Sequence, residues 1–515
     1  MRGPGRALPL LGLILLWEVL ARATAQSFVI AAPTAIAAHL ATHAELLLRA
    51  LGTTAWNAAQ GYLWGNLAGI ALALAAVSAP RAERILSILA LFVFCLPLVA
   101  TGPVLRVLSG PGNAPQVALA ALAVYYTTFL PVLVGLRAAP QSWFELVRSH
   151  GRGPLAALWL VRLPAALPYL AAGLQIAVPA AFLGAMVGEF TGAERGLGML
   201  TLRALRGLDL PATWAIAVIA ALVSGLAFHL AGRLARWLDP APPALLPAAP
   251  AGARPLRLAG PLADTVLALA AGGLLWAGLM ELFALPDFFA KRPGDVWAFL
   301  VTDAQAGAHR ARLAAALGQT LAMAGPGYLA GLALGAGLAA GLTLRPGLAG
   351  LAMPLAVALR AVPIIATAPV LIWALGRGAA GTVTVVAVMI FFPTLVACLS
   401  GIARTPRAVL DLFDSHAAPG LQRLLWAQLP AILPAFFAAA RMAVPAAILA
   451  VTTAEWLATG RGIGALMAVS AATSDYAMLW SATAATGLAA LAAHGAVAWA
   501  ERAVLSRHAA EQVAR

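Results

Sequence analysis

The stretch of sequence that decides the fold occurs twice in this chain. Residues 141–164 read QSWFELVRSHGRGPLAALWLVRLP, and residues 407–430 read RAVLDLFDSHAAPGLQRLLWAQLP. Each copy holds an acid, a Ser-His pair, a small residue and a Leu-Pro pair at the same spacing. Chance agreement of this kind is implausible, so the two stretches indicate an internal duplication with an offset of 266 residues.

The same offset extends well beyond these two stretches. The register holds without a gap from about Gly52 to Trp214. The first-copy residues that recur at this offset are Gly61, Tyr62, Pro97, Pro103, Pro168, Pro179, Glu189, Gly196, Gly198, Asp209 and Trp214. Before Gly52 the offset falls to 260, with Pro33 matching Pro293, which predicts a six-residue insertion in the second copy near residues 307–312.

The composition is that of a membrane protein. Of the 515 residues, 62% are hydrophobic and only 10% are charged, and the mean hydropathy is +0.90. A soluble globular protein carries roughly 25% charged residues. Long apolar stretches recur along the whole chain, and each is long enough for a transmembrane span of about 20 residues. We therefore predict an all-α polytopic membrane protein.

Each copy is predicted to contain about six transmembrane helices, giving about twelve in total. The predicted helices are 8–27, 54–78, 85–108, 116–137, 163–188 and 212–236 in the first copy, and 263–286, 318–342, 351–375, 380–402, 429–454 and 478–500 in the second. The predicted units are 1–238 and 262–515, with a linker at 239–261 that is rich in Pro, Ala and Arg. An even number of spans orients both copies alike, which makes this a parallel repeat.

The charge of +14 is spread over short loops between apolar segments. This distribution indicates membrane orientation rather than nucleic-acid binding, and it places both termini and the linker in the cytoplasm. The N-terminal segment resembles a signal peptide, but residues 267–285 match it inside the chain, so an uncleaved first helix is the better interpretation. Cys95 and Cys398 are non-equivalent and lie in apolar spans, which predicts buried residues and no disulfide or metal site.

The duplicated stretch resembles the cytoplasmic signature of the permease subunits of ABC importers. In that family the pattern is Glu-Ala-Ala, three residues, Gly, nine residues, Ile, one residue and Leu-Pro. The first copy has Glu145, Gly151, Val161, Leu163 and Pro164, and the second has Asp411, Ala417, Ala427, Leu429 and Pro430. Both copies also keep the Ser-His pairs Ser149-His150 and Ser415-His416. The resemblance implies the helical fold of type I ABC importers.

Such a segment has a mechanical purpose. A short helix lies across the membrane surface and docks on a separate ATPase, and the acid pairs with that partner. A small residue lets the chain fold back tightly, and Leu-Pro starts the next transmembrane helix because proline is tolerated in a first turn. Since Asp411 and Ala417 replace glutamate and glycine, we expect a less tight turn in the second copy and unequal ATPase contacts.

The remainder of each copy is similar to the permeases for nitrate, sulfonates, taurine and related small compounds. The matching residues are Arg360, Pro363, Pro369, Gly376, Arg441, Glu455, Gly462, Ile463 and Gly464, and the first copy has Phe94 for Arg360 and Gln175 for Arg441. Most members of that branch pair as dimers of single units, so a fused chain would replace such a dimer.

The chain lacks a recognisable ATP-binding loop. A phosphate-binding loop ends in Lys-Ser/Thr, whereas the single lysine, Lys291, precedes Arg292. We therefore expect a transporter subunit that is not an enzyme and holds no cofactor. The resemblance implies two copies of a separate ATPase, a periplasmic binding protein and a location in the bacterial inner membrane.

Several residues are candidates for the pathway or a gate. Arg360 and Arg441 lie within or near spans, where a charge usually faces protein or a water-filled cavity, so they either favour anionic substrates or pair structurally with Glu455. Glu189 and Glu455 are expected at the outer surface, as a gate, as a dock for the binding protein, or as locally paired helix ends. The prolines Pro97, Pro103, Pro363 and Pro369 are expected to kink helices.

Two other functions fit parts of this pattern. An ion-coupled secondary carrier also has two parallel six-helix halves, but it needs acids at mid-membrane and gives the duplicated cytoplasmic segment no role. A membrane-embedded enzyme would need clustered ligands, and His39 and His43 have no counterpart in the second copy and no third partner. The primary hypothesis is therefore the channel of an ATP-driven importer of a small solute, either an anion such as nitrate, a sulfonate or taurine, or a vitamin precursor.

Overall fold

The computed structural model describes residues 7–24, 30–110, 112–238, 261–348, 368, 371–372 and 374–508. These residues are helical apart from short connections, and the described ranges contain no strand. The linker 239–261 and the predicted helix 351–375 lie almost entirely outside them. The boundaries proposed for the two units therefore stay predictions.

The described helices of the first repeat follow one another with short connections. They are α1 (Ala7–Ala23), α2 (Pro33–Thr42), α3 (Ala44–Ser78), α4 (Glu83–Phe94), α5 (Leu98–Ser109), α6 (Ala114–Gly135), α7 (Gln141–Ser149), α8 (Pro154–Phe190), α9 (Leu197–Arg206) and α10 (Leu210–Leu238). Within α8, one π turn at Leu158–Arg162 interrupts the regular α-helical pattern.

The second repeat has the same order of elements. Its described helices are α11 (Pro261–Leu282), α12 (Pro293–Trp297), α13 (Ala306–Leu344), α14 (Ala379–Ala403), α15 (Arg407–Ser415), α16 (Gly420–Thr459), α17 (Gly462–Ala472) and α18 (Tyr476–His508). A π turn at Ala298–Thr302 extends α12, and two others lie within α16 at Leu424–Gln428 and Glu455–Thr459.

In the described part of the chain, nine single helices are long and apolar enough to cross a membrane. They are α3, α6, α8, α10, α11, α13, α14, α16 and α18. The pair α4–α5 passes the same test together but bends by 84°, which brings the number to ten. The predicted all-α polytopic fold is confirmed.

The kinked helix predicted over 85–108 is divided into two helices, α4 and α5. The chain leaves the helix at Cys95 and starts a new one at Leu98, with Pro97 in an extended conformation at the new N-terminus. Proline lacks an amide hydrogen and disfavours helical backbone in the residue before it, so it separates two helices here. The break is larger than the kink expected for Pro97.

The insertion predicted in the second repeat divides between two places. A single residue, His43, separates α2 from α3, whereas residues 303–305 separate the π turn after α12 from α13. At the offset of 266, the first residue of α3, Ala44, matches Arg310. The helix α13 begins four residues earlier, at Ala306. The extra residues therefore lengthen one junction and one helical turn, and they leave the rest of the repeat in register.

Small residues allow the central helices to pack closely. Gly61, Gly65 and Gly69 form a stripe along α3, and the nearest atoms to a methyl group added at any of them belong to α6. The counterparts Gly327, Gly331 and Gly335 on α13 face α14 in the same way. Close backbone approach through such stripes is a common basis of helix association in membranes.

The two repeats share one core. Val99 and Val187 of the first repeat belong to the same buried cluster as Ile390 and Ala447 of the second. In addition, α11 of the second repeat packs against α4 of the first. The halves are therefore joined by apolar contact as well as by the chain.

The glycine stripe gives a first prediction. Replacing Gly335 by Ala would place a methyl group 2.5 Å from the carbonyl oxygen of Phe391, and overpacking of this kind costs about 1–3 kcal/mol. We expect Gly335→Ala to lower the thermal unfolding temperature of the detergent-solubilised chain. Gly337→Ala is the matched control on the same helix, because a methyl group there has no heavy atom within 4 Å. Equal unfolding temperatures for the two variants would contradict the packing role.

Candidate functional site

The two signature segments, residues 141–164 and 407–430, begin with short exposed helices. α7 and α15 each contain nine residues, and neither has a buried residue. Glu145 and Asp411 are exposed and make no hydrogen bond or ion pair with any described residue. Trp143, Leu146 and Leu412 on these helices are at least half exposed. Exposed apolar residues beside free charges are typical of a surface that binds a partner. We call α7 and α15 the coupling helices.

The turn after each coupling helix has the same left-handed geometry. Gly151 has φ +69° and Ala417 has φ +48°. Their amides donate to the carbonyls of Arg148 and Asp414 at 2.9 and 3.1 Å. The looser turn expected for Ala417 is therefore not observed, because the alanine adopts the strained conformation that glycine adopts freely.

The retained Ser-His pairs close the ends of the coupling helices. Ser149 Oγ donates to the carbonyl of Leu146 at 2.8 Å, and His150 Nδ1 lies 2.8 Å from the same oxygen. Ser415 and His416 contact the carbonyl of Leu412 at 2.8 and 2.9 Å. The last carbonyls of a helix have no partner within the helix, so these side chains satisfy them. Each histidine therefore caps the C-terminal end of its own coupling helix.

The Leu-Pro pairs do not start the next transmembrane helices, contrary to the prediction. α8 begins at Pro154, and α16 begins at Gly420, so Leu163-Pro164 and Leu429-Pro430 lie inside continuous helices. In each case a π turn ends directly before the pair, and the leucine amide bonds to the carbonyl five residues earlier, Leu158 or Leu424. The widened turn accommodates a proline ring that would otherwise clash with the preceding turn.

The repeats hold their coupling helices by different contacts. Arg162 lies over the ring of Phe144, 5.0 Å from its centroid, and donates to the carbonyl of Leu136 at 3.2 Å. In the second repeat Arg423 pairs with Asp414 at 3.1 Å. Neither contact is recognisable in the sequence, since neither pair of residues recurs at the repeat offset.

A partly buried ion pair between the end of α6 and the start of α4 also belongs to one repeat alone. Arg137, just after α6, pairs with Glu83 at the start of α4. Burial lowers the pKa of Arg137, and the nearby charge of Arg162 lowers it further. The negative charge of Glu83 stabilises the charged form of Arg137 against both effects. The counterparts at the repeat offset are the alanines Ala349 and Ala403. The ion pair therefore joins the end of α6 to the start of α4 in the first repeat, and the second repeat has no acid or base at the matching positions.

Glu189 and Glu455 lie at the ends of their helices with buried side chains, and of the roles expected for them the structure shows local pairing at the helix end, whereas a role in a gate or a dock stays a prediction. Glu189 is 1% exposed and Glu455 is 3% exposed. Glu189 Oε2 accepts from Thr54 Oγ1 at 3.0 Å and from the amide of Gly198 at 2.7 Å. These bonds join α8 to α3 and α9.

The second repeat contains the same set of bonds. Glu455 accepts from Thr320 Oγ1 at 2.8 Å and from the amide of Gly464 at 2.9 Å. In each repeat the threonine oxygen also accepts from the backbone amide between the two glycines, that of Leu197 or Ile463, at 2.8 Å. Hydrogen bonds of this kind offset part of the cost of burying a carboxyl group. Both oxygens of Glu455 accept them, whereas in the first repeat both bonds go to Oε2 of Glu189. We call the two sets the glutamate latches.

The latches explain the Gly-x-Gly motifs. Gly196 has φ +124° and Gly462 has φ +86°, a backbone conformation that other residues rarely adopt. A methyl group at Gly462 would lie 2.0 Å from Glu455 Oε1, and one at Gly464 would lie 2.3 Å from the carbonyl oxygen of Thr452. Both glycines are needed for the carboxylate to reach the loop.

A cavity of about 350 Å³ lies between the two repeats. Its walls come from the α4–α5 break, α6, α8, α10, α14 and α16. The lining side chains with special chemistry are the rings of Phe94, Phe182, Phe228 and Phe392, the thiol of Cys95, the hydroxyls of Thr127 and Ser224, and the prolines Pro97, Pro179, Pro393 and Pro445. A cavity at this interface is the position expected for a solute path through a two-repeat transporter.

Arg441 does not line this cavity and does not pair with Glu455. Its guanidinium contacts Glu501 at 3.1 Å, and His494 Nδ1 lies 3.3 Å from its carbonyl oxygen. The counterpart Gln175 in the first repeat donates to the carbonyl of Phe228 at 3.4 Å. Both side chains therefore tie the fifth transmembrane helix of a repeat to the last.

The other two predicted pathway residues of the second repeat, Arg360 and Pro363, lie outside the described residues. Their counterparts at the offset of 266, Phe94 and Pro97, both line the cavity. Pro97 thus joins the cavity wall through the helix break that it helps to form.

The turns after the coupling helices give a second prediction. Ala417→Gly removes a left-handed alanine, and we expect a gain of roughly 0.5–1 kcal/mol in the local stability of α15. Gly151→Ala is the matched reverse change, and we expect it to destabilise α7 by a similar amount. Amide hydrogen exchange measures each helix separately. Faster exchange in α15 after Ala417→Gly would contradict the interpretation.

The glutamate latch gives a third prediction. Glu189→Ala leaves the amide of Gly198 and the hydroxyl of Thr54 without their acceptor, and each buried unsatisfied group costs about 1–3 kcal/mol. We expect a lower thermal unfolding temperature for Glu189→Ala and a smaller loss for Glu189→Gln, which keeps an acceptor oxygen. Glu194→Ala, at an exposed position in the adjacent loop, is the control. A loss no larger than that of the control would show that the latch contributes little.

Comparison with known proteins agrees with this arrangement. The family described as binding-protein-dependent transport system inner membrane component matches residues 65–242 and again residues 331–506. The two matched segments begin one repeat offset apart, so each repeat contains one family unit.

Individual relatives each match about one such unit. A probable ABC transporter permease of Haemophilus influenzae is 32% identical over 213 residues, which are 41% of this chain and 87% of the relative. The formylaminopyrimidine transport permease of Halalkalibacterium halodurans is 28% identical over 229 residues, 44% of this chain and 92% of the relative. The taurine transport permease of Escherichia coli is 28% identical over 179 residues, 34% of this chain and 64% of the relative. The chain therefore belongs to the family of binding-protein-dependent inner-membrane transport components, the permeases of ABC importers, and it contains two of its units.

Proposed function

We propose that this single chain forms the complete membrane channel of an ATP-driven, binding-protein-dependent importer, in place of a dimer of permease subunits. The observation that carries the proposal is the pair of exposed coupling helices, one in each family unit. Their free acids, Glu145 and Asp411, are available to a partner. Each helix docks one copy of a separate cytoplasmic ATPase, and both termini lie on that same side.

The long helices α8 and α16 connect the two coupling helices to the wall of the cavity. α8 runs from the turn after α7, past the cavity wall at Ile176–Leu183, to the glutamate latch at Glu189. The helix α16 repeats this course from α15 to Glu455. A continuous helix transmits displacement of one end to the other, so movement of the ATPases on binding ATP would shift the cavity walls against each other.

The transported compound is a small solute supplied by a periplasmic binding protein. Two kinds of solute are the alternatives: a small anionic compound such as nitrate, a sulfonate or taurine, and a vitamin precursor. The relative named for taurine supports the first, and the relative named for formylaminopyrimidine supports the second. The volume of the cavity, about 350 Å³, suits a solute of either kind.

Co-purification tests the proposal and gives a fourth prediction. We expect the tagged chain, expressed with its operon neighbours, to retain two ATPase subunits and to hydrolyse ATP. Replacing Glu145 and Asp411 together by Ala removes one charged contact at each dock, which is worth about 1.5–3 kcal/mol or roughly tenfold or more in affinity. The ATPase should then be lost on purification, while each single variant keeps part of it.

The controls separate docking from folding. Glu194→Ala removes another exposed acid, outside the coupling helices, and should retain the ATPase at the level of the unchanged chain. Equal thermal unfolding temperatures for all variants would show that only docking has changed. Transport by the chain alone in liposomes, driven by an ion gradient, would overturn the proposal in favour of a secondary carrier.

A further inference from the structure

Two short helices, α9 and α17, lie beside the repeat interface, on the side of the membrane opposite to the coupling helices. The helix α9 follows α8, and α17 follows α16, so a full transmembrane span separates each of them from its coupling helix. Leu202 of α9 packs against the core that the two repeats share. In α17, Ile463 and Leu466 belong to the same buried cluster as Ala100 of the first repeat. We call α9 and α17 the outer helices.

The outer helices differ in charge. Arg203 and Arg206 of α9 are exposed and make no hydrogen bond or ion pair with any described residue. Their counterparts at the repeat offset are Val469, which is 51% exposed, and Ala472, which is also exposed. Both outer helices and the turns on either side of them lie wholly within the described residues. The first repeat therefore presents two cations where the second presents a small apolar surface.

The glutamate latches fix the outer helices to the long spans. Glu189 accepts from the amide of Gly198 in the first turn of α9 at 2.7 Å, and Glu455 accepts from the amide of Gly464 in α17 at 2.9 Å. Each outer helix is thereby tied to the end of α8 or α16 that lies farthest from the coupling helix. A partner bound to an outer helix would therefore act directly on the long helix of that repeat.

We propose that the outer helices form the dock of the periplasmic binding protein, and that Arg203 and Arg206 fix its orientation by contacting acidic groups on one of its domains. This inference rests on the proposed function, in which such a protein supplies the solute. Periplasmic binding proteins close by a hinge between domains, so they present two unlike surfaces to the two repeats. Exposed unpaired arginines favour a partner surface of opposite charge.

Fusion of the two units makes a single orientation attainable. A symmetric dimer of identical subunits presents the same patch twice, so a partner with two unlike domains would bind it equally well in either of two orientations. In this chain the two patches differ at Arg203 and Val469 and at Arg206 and Ala472. One orientation therefore places the acidic domain on two arginines, and the reverse orientation places it on none.

Lipid headgroups are the alternative partner for exposed arginines at a membrane surface. The position of α9 favours the binding protein, because Leu202 lies between the two arginines in sequence and packs on the core between the repeats. A protein that delivers solute to the cavity between the repeats has to bind over that interface.

The internal repeat supplies the variant that tests the orientation. In the exchanged chain, Arg203→Val and Arg206→Ala are combined with Val469→Arg and Ala472→Arg. Each outer helix then carries the residues of the other at these two positions. All four positions are exposed, so the exchange replaces no buried side chain.

Cross-linking from two matched positions identifies the domain that lies over each repeat. Leu208→Cys or Ser474→Cys places one thiol in the turn after an outer helix, at exposed positions that correspond at the repeat offset. The buried thiols Cys95 and Cys398 are first replaced by Ala. The full chain is labelled with a maleimide benzophenone and placed in phosphatidylcholine nanodiscs. The binding protein from the same operon is added, and mass spectrometry after illumination identifies the cross-linked domain.

We expect Leu208→Cys to label one domain of the binding protein and Ser474→Cys to label the other. In the exchanged chain the two domains should change places. Replacing only Arg203 and Arg206 should weaken binding of the binding protein about two- to thirtyfold at low salt, the contribution of two exposed ion pairs, and by less at high salt. Equal thermal unfolding temperatures for these chains would show that the fold is unchanged.

The same domain assignment before and after the exchange, or equal labelling of both domains in the unexchanged chain, would overturn the inference. Binding without any cross-link would place the dock elsewhere and also overturn it. An effect of the arginines on the unfolding temperature in anionic-lipid nanodiscs alone, with none on binding, would assign them to lipid headgroups instead. Absence of all binding would contradict the proposed supply by a binding protein as well, whereas the ATPase result for Glu145 and Asp411 tests the coupling helices separately.

Discussion

The bond between a buried glutamate and the loop that follows its helix is the interaction on which the rest of this structure depends. Glu189 and Glu455 each join three elements, and each is bonded to a threonine and to a glycine amide. Burial of a carboxyl group is costly without hydrogen bonds, so the threonine, the loop amide and the two glycines that let the loop approach act together. The latch holds one end of the helix whose other end carries the coupling helix.

The two repeats keep the same backbone and differ in charge. The latches, the glycine stripes and the helix caps occur in both. The partly buried pair Arg137–Glu83 has its sequence counterparts in two alanines, and the pair Arg441–Glu501 has counterparts in Gln175 and Ala235. Two units in one chain need not be identical at their interface, so a fused permease can form a cavity whose two walls differ. The contacts that hold α7 and α15, Arg162 with Phe144 and Arg423 with Asp414, differ for the same reason.

Much of the fold was predictable because repetition is visible in sequence. The offset of 266 residues and the family resemblance were confirmed by the two matched segments, and nine of the predicted spans, with the broken pair α4–α5 as a tenth, were confirmed by the described helices. The structure differs from the predictions at prolines and acids, whose roles depend on the residues packed around them. Pro97 ends a helix, whereas Pro164 lies within one because a π turn precedes it. A lone glutamate near a helix end does not reveal in sequence whether it faces water or a threonine 135 residues away.

The sequence by itself determined the fold class, the duplication, the family and the positions of the two signature segments, because these depend on hydropathy and spacing along the chain. Only the tertiary structure decided that the glutamates are latches, that the Ser-His pairs cap helices, and that Arg441 pairs with Glu501 beside the cavity. These roles depend on which side chain lies opposite another across two packed helices. The distance between two packed helices is set by close contacts such as those of the glycine stripes. No local pattern in the sequence shows which side chains then lie opposite each other.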